Sequence, residues 1–447
     1  MNDRGSASPE RRFDIAVIGG GGAAETFVAE LDGSGLSVVV FEEFRVGGEC
    51  PFVACMPTKA MLHDAATGRA WTEAVRRRRD VVEDLEDDGH ATELRAHGPE
   101  LVRERAAVSG PTEVVAAGER YRVGHIVLAT GSEPLLPPID GLDSIGDRLW
   151  TSADAMTVDE RPTRLTILGG GVIGCEMATI FSGFGTEVHL LDTEPRAFPA
   201  LPPEIGEIAD QALRARGVRV HRGSEVVQVE PRGSGVRVRL ADGPCLDTDR
   251  LLVATGTRPR TSGIGLDAIG LADGSTLTVA DDGRVDAVGS IWAMGDVAGR
   301  GEYTHLANHE ARVVAGAISG RGDRRFDDVV VPACVFTDPP IVTIGPTPDR
   351  CGDDIVWVTA RLSEVARFTT DDLVDGVLHV GVERPSGELR AAHGIGAGFD
   401  ILATALVTAI DSRVPVHRLA RSMAPFPTVG EMLPLIYSRA SASVGVD

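Results

Sequence analysis

The sequence predicts an α/β chain that runs one strand–glycine turn–helix–strand unit twice and closes with a smaller α+β portion. Three observations carry this. Apolar strands at Phe13–Ile18 and Leu165–Leu168 each run straight into a glycine-rich turn. Each turn opens a helical stretch, and the strand after it ends on an acid, Glu42 or Asp192. A later apolar strand in each half ends in Ala-Thr-Gly, at Ala129–Gly131 and Ala254–Gly256. Repetition on this scale is hard to obtain by chance.

Composition bounds the rest. A chain of 447 residues is too long for one ordinary core. The formal net charge of -22 argues against a nucleic-acid or anionic-membrane surface. No apolar run reaches the roughly 18 residues of a membrane span. Met1–Arg12 is polar, has no apolar core and reads as a frayed tail rather than a secretory signal. Six cysteines are too sparse for a disulfide scaffold, which points to the reducing cytoplasm. Lys59 is the only lysine, and every other basic position apart from the histidines is arginine. A compact ammonium is not interchangeable with a guanidinium, so Lys59 marks a position to watch.

In order, the first unit reads as strand Phe13–Ile18, a helix to Leu31, and strand Ser37–Phe41. A helix is expected from about Cys50 to Ala66, and further helix over residues 72–104. There Arg76–Arg79 reads as a solvated face beside the acidic run Glu83–Asp88. Strand Glu119–Thr130 leads to a Pro-rich linker at Glu133–Pro138. The second unit spans Leu165–Asp192 and returns at Leu251–Gly256. Strands are expected at Val331–Ile344, Ile355–Thr359 and Val377–Val382, and helices at Phe399–Ser412 and Glu431–Tyr437. The expected domains are residues 1–150 and 263–328 for the first unit, 151–262 for the second and 329–447 for the third.

Both turns are nucleotide fingerprints of the Rossmann type. Gly19-x-Gly21-x-x-Ala24 lets the backbone approach a pyrophosphate at a helix N-terminus, and Glu42 stands where it can hold a ribose diol. Gly169-x-Gly171-x-x-Gly174 repeats the device with Asp192, an acid that binds ribose hydroxyls and repels a 2′-phosphate. Glu194 adds to that repulsion and Arg196 moderates it, so NADH is favoured over NADPH. Alone, a GxGxxG is an ordinary glycine turn; strand, helix and acid in register make it specific. Gly295-Asp296 ends another strand, Ile291–Met294, and places a carboxylate at a turn.

The most specific segment is Gly47-Gly48-Glu49-Cys50-x4-Cys55-Met56-Pro57-Thr58-Lys59. Zinc would need two more ligands, and Cys175, Cys245, Cys334 and Cys351 do not form such pairs. A disulfide between i and i+5 does not fit an ideal helix, though it fits a distorted first turn entered through Gly47 and Gly48. A helix N-terminus there lowers a thiol pKa. Two unrelated buried cysteines are the plain alternative.

This segment resembles the class I pyridine nucleotide-disulfide oxidoreductases (dihydrolipoamide dehydrogenase, glutathione reductase, mercuric reductase), whose motif is GGxCxxxxCxPxK. The resemblance runs from Phe13 to about Tyr437. It takes in both fingerprints, both ATG turns, Phe336–Pro340 and Pro427-Thr428. It implies two Rossmann-like domains, for FAD and for NAD(P)H, and a C-terminal α+β dimerisation domain. It implies that Asp296 binds the flavin side chain, and that Lys59 pairs with Glu176 beside the flavin. Gly48, Thr130, Gly131, Gly256 and His305 are counted with the cofactor-binding residues. Cys55 would face the flavin and Cys50 the substrate, with electrons passing from NAD(P)H through FAD to the Cys50–Cys55 disulfide and on to a small-molecule acceptor.

One position departs from the pattern. The disulfide-reducing members carry His-Pro-Thr and then Glu near the C-terminus, given by the partner subunit as a base. Here Phe426-Pro427-Thr428 precedes Glu431, so the glutamate stays and the histidine is lost. A positioned proton acceptor contributes about 10²–10⁴-fold in rate. Mercuric reductases also lack the histidine but add a C-terminal cysteine pair that this chain does not have, and His417 has nothing to place it in the site. Residues 61–129 look short for the family. The favoured reading is an NADH-using FAD enzyme, a cytoplasmic homodimer without nucleic-acid, membrane or metal cofactor. Its acceptor is a disulfide, metal ion or oxidant. The alternatives are a flavin-level quinone or dye reductase with incidental cysteines, and a non-enzymatic flavin redox sensor.

Overall fold

The computed structural model describes residues 11–243, 245–285, 289–322 and 324–445. Residues 1–10 of the expected tail lie outside these, whereas Arg11 and Arg12 already belong to the first strand. The chain forms two compact units. The first is assembled from segments ending at Pro57, Arg78–Leu135 and Thr257–Asp328, the second from Thr58–Arg77, Leu136–Gly256 and the segment from Val329 onward. The crossings fall ahead of the expected 150 and 262. Leu149–Trp150 already pairs with Arg250–Val253 in the second unit, and Thr257–Pro259 pairs with Ser132–Pro134 in the first. That last pairing makes part of the expected Pro-rich linker a short ribbon.

In the first unit, parallel strands Glu100–Val102, Val38–Phe41, Arg11–Ile18, Glu119–Leu128 and Ile291–Ala293 lie side by side in that order. Antiparallel strands Glu113–Ala116 and Ala106–Gly110 extend the sheet from Glu119–Leu128. Parallel strands covered on both faces read as unbroken apolar runs, which is why Ile15–Ile18 and Val38–Phe41 are buried throughout. Helices Gly22–Glu30 and Thr304–Ser319 close one face around Phe27, Val28 and Val314. Each such side chain contributes roughly 1.5–3 kcal/mol on burial.

In the second unit, Arg219–Arg222, Glu187–Asp192, Arg164–Leu168, Arg250–Val253 and Leu149–Trp150 form a parallel sheet. A three-stranded antiparallel sheet over Val226–Thr248 packs against it. The C-terminal part is an antiparallel sheet in the order Pro332–Val335, Ile341–Ile344, Leu389–Ile395, Val377–Glu383, Ile355–Arg361. Helices Phe399–Asp411 and Met432–Val444 cover one face of it.

Several local expectations need correction. The helix expected over Cys50–Ala66 is two helices, Glu49–Phe52 and Cys55–Ala66, parted at Val53–Ala54. Residues 72–104 are not uniformly helical: after Trp71–Val81 and Asp88–Ala96 comes strand Glu100–Val102. Arg76 and Arg79 are exposed as expected, but Arg78 is buried and Arg77 bonds the fully buried Asp64. The single strand expected over Val331–Ile344 is a hairpin, because Pro339 and Pro340 offer no N–H groups for a continuous ladder. Strand Leu389–Ile395 and helices Pro203–Ala215 and Thr304–Ser319 were not foreseen.

Candidate active site

The first unit holds most of the residues expected around FAD; Lys59 and Glu176 belong to the second. The turn after Arg11–Ile18 enters helix Gly22–Glu30 with Gly21 at its cap, and no side chain caps that end. Its N–H groups are left for an anion. Glu42 is buried beneath the turn, its Oε2 accepting from Gly20 N at 2.6 Å and its Oε1 from Phe44 N at 2.6 Å. Burial pushes its pKa up, against those two bonds. Ala24 is fully buried, so the helix lies close on its strand. Gly48 has φ +74°, and a Cβ there would stand 3.0 Å from the Gly21 Cα. Only glycine keeps this cradle open. Thr130 donates to the Arg260 carbonyl at 2.6 Å, and Arg260 N donates to Gly131 O at 2.9 Å. Asp296, after Gly295, accepts from Ser132 Oγ at 2.9 Å, and burial pushes it up to about 6. His305 is exposed and stacks on Tyr303. An open helix N-terminus, a buried acid at the second strand end and a glycine cradle fit a dinucleotide such as FAD.

Glu310 was missed by sequence reading. It is buried, accepts from Gly295 N at 2.7 Å, and is pushed up to about 7 by burial. An acid at helical spacing between Leu306 and Val313–Val314, on the apolar face of helix Thr304–Ser319, was the available signal.

The break at Val53–Ala54 explains how a pair at i and i+5 can meet. Both N–H groups fold back onto Glu49 O at 2.9 Å, which ends one helix and starts the next at Cys55. The Cys50 thiol and the Cys55 sulfur are in hydrogen-bond reach of each other. Thr304, at the start of its helix, donates to Cys50 Sγ at 3.1 Å and lies 3.9 Å from Cys55 Sγ. The expected lowering of thiol pKa does not hold for Cys50. Its proton is shared with the Cys55 sulfur and its site is partly buried, and both push it well above the ordinary thiol range, against a smaller opposing effect from Thr304. Arg260 pairs with Glu49 beside it at 3.1 Å.

In the second unit, Lys59 Nζ donates to Glu176 Oε2 at 2.8 Å, the pairing the resemblance implied. Glu176 is buried, and its Oε1 accepts from Phe336 N at 2.9 Å. The Lys59 ammonium lies 4.8 Å from the Phe336 ring centroid. This answers part of why the one lysine is here: a slim ammonium can meet a carboxylate and a ring face together.

The second fingerprint has the same build. Gly171 caps helix Val172–Gly183 without a side-chain bond. Gly169 has φ +99°, and a Cβ would strike Ala254 O at 2.2 Å; at Gly174 one would strike Gly169 O at 1.8 Å. Gly256 follows that strand at φ +110°. Asp192 accepts from Gly170 N at 2.8 Å and from Glu194 N at 3.0 Å. Arg196 donates instead to Pro199 O at 2.6 Å, and the base on Asp192 is Arg222, which sequence reading did not single out.

Glu431 and Phe426 lie far along the chain from these groups. Glu431 Oε1 accepts from Thr428 N at 3.0 Å and so closes the Val429–Glu431 turn within its own chain. Phe426 is 77% exposed, and His417 sits half-buried in helix Val416–Leu419. Among the described residues, no group of three or more His, Cys, Asp or Glu could hold a metal ion, and no helix is long and apolar enough to cross a membrane.

Comparison with known proteins agrees over nearly the whole chain. The model of the pyridine nucleotide-disulphide oxidoreductase family matches residues 13–311, and that of its dimerisation domain residues 331–436. A mercuric reductase of Streptomyces lividans is 31% identical, over 95% of this chain and 95% of its own. A dihydrolipoyl dehydrogenase of Pseudomonas aeruginosa is 29% identical, over 94% of this chain and 96% of its own. The HOCl-induced flavoprotein disulfide reductase RclA of Escherichia coli, solved as a Cu(II) complex, superposes with a TM-score of 0.88. It is 26% identical, over 96% of this chain and 99% of its own. With fingerprints and cysteine pair in one family match and the dimerisation domain in a second, the chain belongs to the pyridine nucleotide-disulphide oxidoreductases and is an FAD-dependent NAD(P)H oxidoreductase.

Proposed function

We propose that this enzyme oxidises NADH, stores the electrons on Cys50 and Cys55, and delivers them to a metal ion or oxidant rather than to a small dithiol–disulfide substrate. The observation that carries the reading is the cysteine pair itself: two sulfurs in hydrogen-bond reach, with Thr304 bonded to Cys50. Bound FAD would accept a hydride from NADH and supply two electrons to the cysteines. Two electrons and two protons convert a Cys50–Cys55 disulfide into the dithiol. Lys59 and Glu176 hold a fixed charge pair, and Thr304 holds the Cys50 sulfur in place. Cys50 keeps its proton because Cys55 and burial raise its pKa. Turnover with dihydrolipoamide or glutathione disulfide asks for a base at that sulfur, and position 426, where the disulfide-reducing members of the family carry a histidine, is phenylalanine. A thiophilic metal ion displaces the proton itself on binding sulfur. Reoxidation then balances as a disulfide and two protons formed for two Cu(II) reduced to Cu(I). The Cu(II) complex of RclA and the mercuric reductase relative support this class.

Asp192 and Glu194 favour NADH, the sparse cysteines favour the reducing cytoplasm, and the dimerisation domain supports a homodimer. The test follows NADH oxidation by the FAD-loaded protein with Cu(II), a quinone, dihydrolipoamide and glutathione disulfide. Cu(II)-dependent turnover is expected to fall at least about 100-fold in Cys50→Ser, because without that sulfur no disulfide forms to return the two electrons. NADH should expose two alkylatable thiols in the wild type. Full turnover in Cys50→Ser would sink the reading in favour of a flavin-level reductase.

A further inference from the structure

The second nucleotide fingerprint rests on a buried three-group ion cluster. Arg222 ends strand Arg219–Arg222 directly beside Asp192, its parallel partner in register. Its side chain is 7% exposed, that of Asp192 15% and that of Asp210 9%. Arg222 Nη1 donates to Asp192 Oδ2 at 2.7 Å and Nη2 to Asp210 Oδ1 at 2.8 Å. Its Nε also reaches both Asp210 oxygens, at 3.2 and 3.3 Å. The guanidinium is therefore fixed bidentately from helix Pro203–Ala215 and presents its free edge to Asp192. It also lies under the fingerprint turn. A Cβ at Gly170 would stand 2.1 Å from Arg222 Nη1 and 2.6 Å from Asp192 Oδ2. Cys175, buried beside it, donates its S–H to Gly170 O at 3.3 Å.

A carboxylate offers about four lone-pair sites. Asp192 Oδ2 spends both of its own on Gly170 N and Arg222, and Oδ1 spends one on Glu194 N. One acceptor direction is left, aimed by three bonds. From this we infer that Arg222 is the positioning residue of nicotinamide-nucleotide recognition: it fixes Asp192 so that its last lone pair meets a ribose hydroxyl. At the 2′ position a phosphate brings charge and no hydrogen to donate, so it gains nothing from that geometry. Discrimination thus depends on Arg222 as well as on the acid. The inference deepens the NADH preference proposed above and rests on it.

The test compares wild type, Arg222→Lys and the double variant Arg222→Met/Asp210→Asn, all FAD-loaded. The double variant keeps the cluster's formal charge, since two acids and one base become one acid, and it removes the buried charge of Asp210 together with that of the arginine that neutralised it. Calorimetry with ADP-ribose and with its 2′-phosphate reads binding without turnover. ADP-ribose affinity is expected to fall about tenfold in the double variant and about threefold in Arg222→Lys, while affinity for the 2′-phosphate changes less than threefold. KM for NADH should rise about tenfold, with kcat within twofold. Unchanged ADP-ribose binding, or equal losses for both ligands, would overturn the role of Arg222. The wild-type ratio alone tests the coenzyme preference: a wild type that binds the 2′-phosphate more tightly sinks that reading, whatever the variants do. If the double variant does not fold, Arg222→Lys decides by the same ratio.

Discussion

Glu310 is held inside the first unit with one oxygen on Gly295 N and the other without a partner. Its pKa of about 7 in the folded protein stands above the ordinary carboxylate value. The unfolded chain therefore gives up this proton near pH 4.5 while the folded one keeps it to about pH 7. Stability from this group is unaffected below the lower value and falls as pH rises between the two, by about 3 kcal/mol in total. Glu310→Gln is expected to remove that slope. The difference in Tm between pH 5 and pH 8 should shrink by several degrees relative to wild type, and an unchanged difference would place the slope elsewhere. At the same scale, Phe426→His is expected to raise dihydrolipoamide turnover at least about tenfold if the missing base is what limits it. Glu431 already braces the turn that would carry the new imidazole. Equal turnover before and after would show that the base is supplied otherwise.

Between residues and domains, the two elements that matter most are the broken helix and the glycine cradle before it. Gly48→Ala would strain a backbone at φ +74° and push a methyl group to 3.0 Å from the Gly21 Cα. FAD is expected to dissociate at least about tenfold more readily, measured as flavin lost on gel filtration; full retention would mean the cradle is not where the pyrophosphate rests. These elements also show what sequence can and cannot convey. The βαβ units were legible because an apolar run, a glycine turn and a terminal acid each have a local physical cause. Glu42 and Asp192 were found for the same reason. The cysteine spacing admitted a distorted first turn, but its place at Val53–Ala54 was not legible, since Val and Ala both fit a helix. Arg222 and Asp210 were invisible because their meaning comes from a pairing across a strand and a helix. Strand Leu389–Ile395 escaped because Ala, His and Gly dilute its alternation, though burial between two neighbours makes it a strand.

For the molecule as a whole, the exposed apolar side chains of the second unit are concentrated in the C-terminal part. They include Ile401, 75% exposed on helix Phe399–Asp411, with Met423 and Phe426. If the dimerisation domain joins two copies there, Ile401→Glu should halve the mass seen by light scattering, and a mass that stays the same would move the interface elsewhere. The sheet topology has a consequence for synthesis. Strand Ile291–Ala293 completes the parallel sheet begun by Arg11–Ile18, whereas Leu149–Trp150 through Arg250–Val253 forms a sheet from one uninterrupted stretch. A ribosome delivers residues from the N-terminus at about 5–20 per second. The later-encoded sheet can therefore close while the earlier one still waits for its last strand. Nascent chains halted before Ile291 emerges should resist protease across Arg164–Val253 and remain cleavable across Arg11–Leu128, so the end of the chain that leaves first is the one that must be kept from aggregating longest.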